Sequence, residues 1–164
     1  MSSEGSPVET RRGSLDAAGL RVAVIAARFN ADITDRLLEG ALQALRDHGA
    51  TAHDIGTIRV PGAWELPQAA ARVVESGRYD AIVTLGCVIR GETPHFDFVC
   101  QEATLGLGAV ARSAPIPVSF GVLTTDDTAQ ALARAGEGKD NKGYEAAMAA
   151  LEMASVYRAL EGGT

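Results

Sequence analysis

The sequence predicts a three-layer α/β domain in which helices cover both faces of a four-stranded parallel sheet. Four short, nearly continuous apolar runs recur along the chain, and strands buried on both faces of a parallel sheet read this way. Segments with helical spacing separate those runs, so strand and helix alternate. A chain of 164 residues, 46% of them hydrophobic, can bury one substantial core and is read as a single domain over residues 15–164.

Residues 1–14, MSSEGSPVETRRGS, have neither the apolar stretch of a signal peptide nor a periodic pattern, and are expected to form a flexible N-terminal tail. The first strand is RVAVIAA (21–27), followed by a helix with Ile33, Leu37, Leu38, Ala41 and Leu45 on one face. IGTIRV (55–60) gives the second strand, and Leu66, Ala69, Ala70, Val73 and Val74 mark the helix after it. DAIVTLGCVI (80–89) is the third strand; Phe98, Val99, Leu105 and Val110 suggest the buried face of the third helix. Thr93 reads as its N-cap and Pro94 as its first residue. PVSFGVL (117–123) is the fourth strand, and TTDDTAQALARAG supplies a capped helix start with Gly136 just beyond its end. Residues 141–161 form the last helix. Right-handed crossovers through this series favour the strand order 2-1-3-4, a flavodoxin-like arrangement.

Charge and composition exclude several classes. The formal charge of −6 and the absence of a basic run leave no footprint for nucleic acid. No stretch is long and apolar enough to span a membrane. Cys87 and Cys100 lie in apolar segments without CxxC spacing, so they are expected to be reduced thiols of a cytoplasmic protein. His48, His53 and His95 form no metal-binding pattern, and no metal is expected. GEGKDNKG (136–143) lacks the Ser or Thr of a phosphate loop and follows a helix, while the glycines of GLG (106–108) sit within one.

Ligands of doubly wound sheets bind beyond the carboxyl ends of the strands, where strand order reverses. Three polar clusters fall there: RFNADIT (28–34), VPGAWELP (60–67) and RGETPHFDF (90–98). Phe29 and Trp64 can pack against neighbouring elements or stack on a flat heterocycle, and Glu65 can serve the helix dipole or accept from hydroxyl groups. His95 falls in the first helical turn, where the dipole disfavours a cation, so structure alone gives little reason for it. Arg134, by contrast, has an ordinary role available as a dipole partner in a last turn.

Taken in order, RFN, VPGAWELP, LGCVIRGETPHFDFVC, FGVLTTDD, QALARAG and NKGYEAA resemble the lumazine synthase family from about residue 15 to about residue 160. The resemblance implies condensation of 5-amino-6-ribitylaminouracil with 3,4-dihydroxy-2-butanone 4-phosphate, giving 6,7-dimethyl-8-ribityllumazine, phosphate and water without a cofactor. It implies a homopentamer or a sixty-subunit shell of pentamers, with sites between neighbouring subunits, and riboflavin synthase as a further partner. Phe29 would then stack on the pyrimidine; Ala63, Trp64 and Glu65 would contact the heterocycle and ribityl chain; Cys87, Val88 and Ile89 would line the base pocket. Glu92 and Thr93 would hold the phosphate beside the helix tip, Glu92 through its backbone or with its carboxylate paired to Arg90. His95 would move protons. From the adjacent subunit Phe120 would cover the ring, while Arg134 and Lys142 would face the phosphate. A non-catalytic lumazine or flavin binder, a shell protein and a riboflavin synthase are the other functional classes that this pattern allows.

Overall fold

A computed structural model describes residues 7–162. The tail residues 1–6, and residues 163 and 164 at the end of the expected domain, lie outside the described residues. Strand β1 (Val22–Ala27) is wholly buried and pairs in parallel with β2 (Ile55–Val60) on one side and β3 (Ala81–Ile89) on the other. β4 (Val118–Thr125) completes the order β2-β1-β3-β4, with all pairs parallel. The predicted order therefore holds, and the predicted strand bounds agree to within one or two residues.

Alternate side chains of the central strands divide the core into two layers. Val22, Val24, Val83 and Leu85 face α1 (Ala31–Asp47) and α5 (Lys142–Glu161), together with Ala131 of the short α4 (Thr128–Ala133). Ala23, Ile25 and Ile82 face α2 (Leu66–Ser76) and α3 (His95–Ser113) on the opposite side. α1 and α5 approach closely because Gly143 has no side chain: a β-carbon there would collide with the Leu37 carbonyl. Asn141, itself buried, locks this junction. Its side-chain oxygen accepts from the Gly143 and Tyr144 N–H groups, and its amide donates to the carbonyls of Arg36 and Gly136.

Three local expectations are corrected. The outer strands are not buried on both faces, since β2 exposes Thr57 and Arg59 and β4 exposes Phe120 and Thr124; each has a sheet neighbour on one side only. α3 buries Phe96, Ala103 and Leu107, leaving Phe98 and Leu105 each 62% exposed. The helix is apolar on more than one face, and the buried one is set where Gly106 packs so closely on Pro67 that a β-carbon would lie 2.7 Å from the proline ring. Finally, Pro94 rather than Thr93 occupies the cap of α3, with no side-chain capping bond; the Pro94 carbonyl accepts from the Asp97 N–H at 3.0 Å.

Residues 7–14 have no regular secondary structure. Arg11 donates to the Ala159 carbonyl and the Ser14 N–H to the Ser155 hydroxyl, so this stretch runs along α5.

Candidate functional site

The carboxyl edge of the sheet is shaped by three loops. After β1 the chain turns through Arg28 and Phe29, whose N–H groups donate to the carbonyls of Val60 and Pro61 at 2.7 and 3.0 Å. Asn30 follows at φ 60° and ψ 49°, the left-handed conformation that Asn tolerates better than most residues. Its side-chain amide donates to the Cys87 carbonyl at 2.8 Å. This loop is thus bonded to the ends of both strands flanking β1, and it leaves the Phe29 ring 72% exposed.

After β2, Pro61 and Gly62 lead into a single 3₁₀ turn, Ala63–Glu65, that buries Ala63 and leaves Trp64 52% exposed. β3 ends with Cys87 buried and Val88 and Ile89 half-buried. Burial pushes the Cys87 thiol up to about 11, so it is neutral at physiological pH. Beyond β3, the segment 90–94 delivers His95 to the first turn of α3, exposed at the rim.

These loops enclose one crevice of about 570 Å³, lined by Phe29, Ala63, Trp64, Glu65, Cys87, Val88, Ile89, Thr93 and His95. Pro61, Gly62, Gly91, Phe96 and Val99 complete the lining. Pro61, Gly62, Gly91 and Phe96 lie within motifs already singled out, and Val99 was expected on the buried face of α3; the inward turn of Phe96 is what spacing did not anticipate.

Phe120, Arg134 and Lys142 do not line this crevice. They meet in a separate depression of about 290 Å³ beside the end of β4. There the Arg134 guanidinium donates to the Gln130 carbonyl at 2.9 Å, the ordinary role of a cation at a helix end, and Lys142 pairs with Glu145 at 2.7 Å. Phe120 is 47% exposed. Glu92 lines neither cavity and is exposed. Of the two arrangements open to it, the pairing with Arg90 does not form: Arg90 bonds Asp126 at 3.0 Å and lies 3.6 Å from Asp97. The Asp126 hydrogen bond raises the guanidinium above its ordinary value. Arg90 also sits over the Phe96 ring, 4.4 Å from its centroid.

The crevice accordingly offers two exposed aromatic faces, a carboxylate, an imidazole and a helix tip whose first N–H groups have no carbonyl of their own helix to bond. Such a set can stack a heterocycle, accept from hydroxyls and move protons. Residues 19–158 match the family described as 6,7-dimethyl-8-ribityllumazine synthase. The chain belongs to the lumazine synthase family. It is 52% identical over 153 residues to the 6,7-dimethyl-8-ribityllumazine synthase of Chlorobaculum tepidum, covering 93% of this chain and 99% of that protein. The lumazine synthase relationship therefore spans every element that builds the crevice, and the chain is an enzyme of the transferase class. Among the described residues no helix is long and apolar enough to cross a membrane.

Proposed function

We propose that this chain condenses 5-amino-6-ribitylaminouracil with 3,4-dihydroxy-2-butanone 4-phosphate in riboflavin biosynthesis, at a site shared by two neighbouring copies of a cytoplasmic homo-oligomer. The observation that carries the shared site is the separation of the two cavities. The crevice beside His95 has the rings and the proton carrier but no Lys or Arg in its lining, whereas the depression holds Arg134 and Lys142 beside an exposed ring. A phosphate ester needs cations, and a cyclic ring places one face of a subunit against a different face of the next. In a homopentamer, the Phe120 face of one copy would thus close the crevice of its neighbour.

Phe29 and Trp64 supply flat surfaces for the pyrimidine, while Glu65 accepts from the ribityl hydroxyls. The backbone of Cys87, Val88 and Ile89 offers donors and acceptors at the crevice floor. Thr93 and the N–H groups at the start of α3 take the phosphate from one side, and Arg134 and Lys142 take it from the other. Glu92 contributes its backbone only, because its charge would oppose a phosphate and it has no paired cation. Imine formation, loss of phosphate and ring closure each require proton transfer, and His95 is the side chain in the crevice suited to it near neutral pH. No cofactor enters this scheme.

Mixing the purified protein with both substrates should generate the fluorescence of a lumazine. A protein that only shifts the fluorescence of an added lumazine is a binder, and that outcome would rule out synthesis. Light scattering tests the assembly: a monomer active at nanomolar concentration would end the shared-site reading, while a pentamer or a sixty-subunit shell is compatible with it.

A further inference from the structure

Arg90 lies outside the crevice lining, yet its contacts converge on the turn that carries His95. Its backbone N–H donates to the Thr125 carbonyl at 2.8 Å, continuing the β3–β4 register one residue past β3. From there the guanidinium bonds Asp126 at the end of β4, approaches Asp97 in the first turn of α3, and lies against the ring of Phe96. His95 immediately precedes Phe96 and Asp97. The imidazole makes no hydrogen bond of its own among the described residues, so its place is set by the backbone of this turn.

Two physical points separate this arrangement from an ordinary surface ion pair. Arg90, Asp97 and Asp126 are about half or more exposed, and pairs of that kind contribute little to stability. Moreover, a cation near the start of a helix opposes the helix dipole. What a guanidinium provides here and an ammonium does not is a plane: one face lies on Phe96 while the edge bonds Asp126 and approaches Asp97 at 3.6 Å.

We propose that Arg90 is a positioning residue for His95, clamping the first turn of α3 to the ends of β3 and β4 so that the imidazole stays at the crevice rim. The proposal rests on the role given to His95 above. Arg90 touches no substrate in this arrangement, so its effect on turnover passes through the histidine, while the turn it holds also carries the N–H groups assigned to the phosphate.

The test is steady-state kinetics on the assembled protein with both substrates, for Arg90→Ala, Arg90→Lys, His95→Ala and the Arg90→Ala/His95→Ala double variant. Arg90→Ala should lower kcat by about tenfold through a small displacement of the imidazole, with the KM for the ribitylaminouracil within about twofold of wild type. Arg90→Lys keeps the charge without the stacked plane and should recover only part of that loss. The thermal midpoint should not move in step with activity, which removes a general folding defect as the cause. Adding Arg90→Ala to His95→Ala should cost nothing further. A second tenfold loss in that background, or wild-type kcat in Arg90→Ala alongside an impaired His95→Ala, would overturn the clamp while leaving the site intact. Full turnover in His95→Ala would instead overturn the reading of the site on which the clamp depends.

Discussion

The crevice and the depression are built on opposite physical terms. The crevice has an apolar body with its polar groups at the rim, and its floor includes a thiol that burial raises to about 11. The depression is half that volume and contains the cations. Each lacks what the other holds, and the cations of the second are already satisfied within their own chain, Arg134 by a helix carbonyl and Lys142 by Glu145. The comparison teaches that a residue can have a complete structural explanation inside one subunit and still be available across an interface, because both of these contacts are exposed enough to be exchanged.

The largest effect should come from the crevice. His95→Ala should lower kcat by about a hundredfold, the low end of general acid–base contributions, with little change in affinity for a ribityl heterocycle. Wild-type turnover at saturating substrates would remove the imidazole from the chemistry. Arg134→Ala should act on the other term, raising the apparent KM for the phosphate substrate by about tenfold, the equivalent of roughly 1.5 kcal/mol, the low end for a charged hydrogen bond. An unchanged constant would return Arg134 to helix capping alone.

Mixing these two variants tests whether the regions belong to different copies of one site. Denatured together and refolded as a ring, the chains should restore an intact pairing at roughly a quarter of the interfaces, well above the mean of the two variants refolded separately. If mass spectrometry shows mixed rings and activity does not rise, both residues act from a single subunit. The smallest effect concerns the dry floor of the crevice. Cys87 has its ordinary value near 9 when unfolded and about 11 in the fold, so only the unfolded chain ionises between those values. The stability tied to its burial is complete below pH 9 and declines as pH rises toward 11. Cys87→Ala should flatten that alkaline decline measurably, and rapid alkylation of native Cys87 at pH 8 would show that the floor is wet.

How much of this was legible in the sequence depended on the type of signal. The strands were readable because a parallel sheet turns β1 and β3 into unbroken apolar runs, and strand order followed from crossover handedness. Exposure of Thr57, Arg59 and Thr124 was missed although the predicted order already put β2 and β4 at the edges, because their runs were read as apolar throughout. The face of α3 was half read: Val99 and Val110 pack against the core, but Phe98 and Leu105, as apolar as the residues actually buried, stay exposed. Within the site, the residues after β1, β2 and β3 were found together because topology brings the ends of neighbouring strands to one edge. The detachment of Phe120, Arg134 and Lys142 from that crevice was expected from resemblance rather than from spacing. Arg90 entered the sequence reading only as one of two ways to accommodate Glu92, and its actual partners became visible only when the fold placed Asp126 and Asp97 beside it.

The central position of β1 has a consequence for the order in which the protein can form. Val22 pairs with Ile55 on one side and with Ala81 on the other, so a nascent chain that has completed α2 holds β1 with one flank still unpaired. Closing that flank requires a long-range contact whose loop entropy must be met before any pairing energy returns. The bond from Asn30 to the Cys87 carbonyl cannot exist earlier, because its acceptor belongs to the strand that arrives last beside β1. Docking of β3 therefore fills the open flank of β1 and adds the Cys87 bond of the Phe29 loop in one step, with β4 and α5 still to complete the core. A partly folded chain has no crude version of this crevice that could bind ligand early and guide the remainder; ligand can stabilise the molecule only after the sheet has closed.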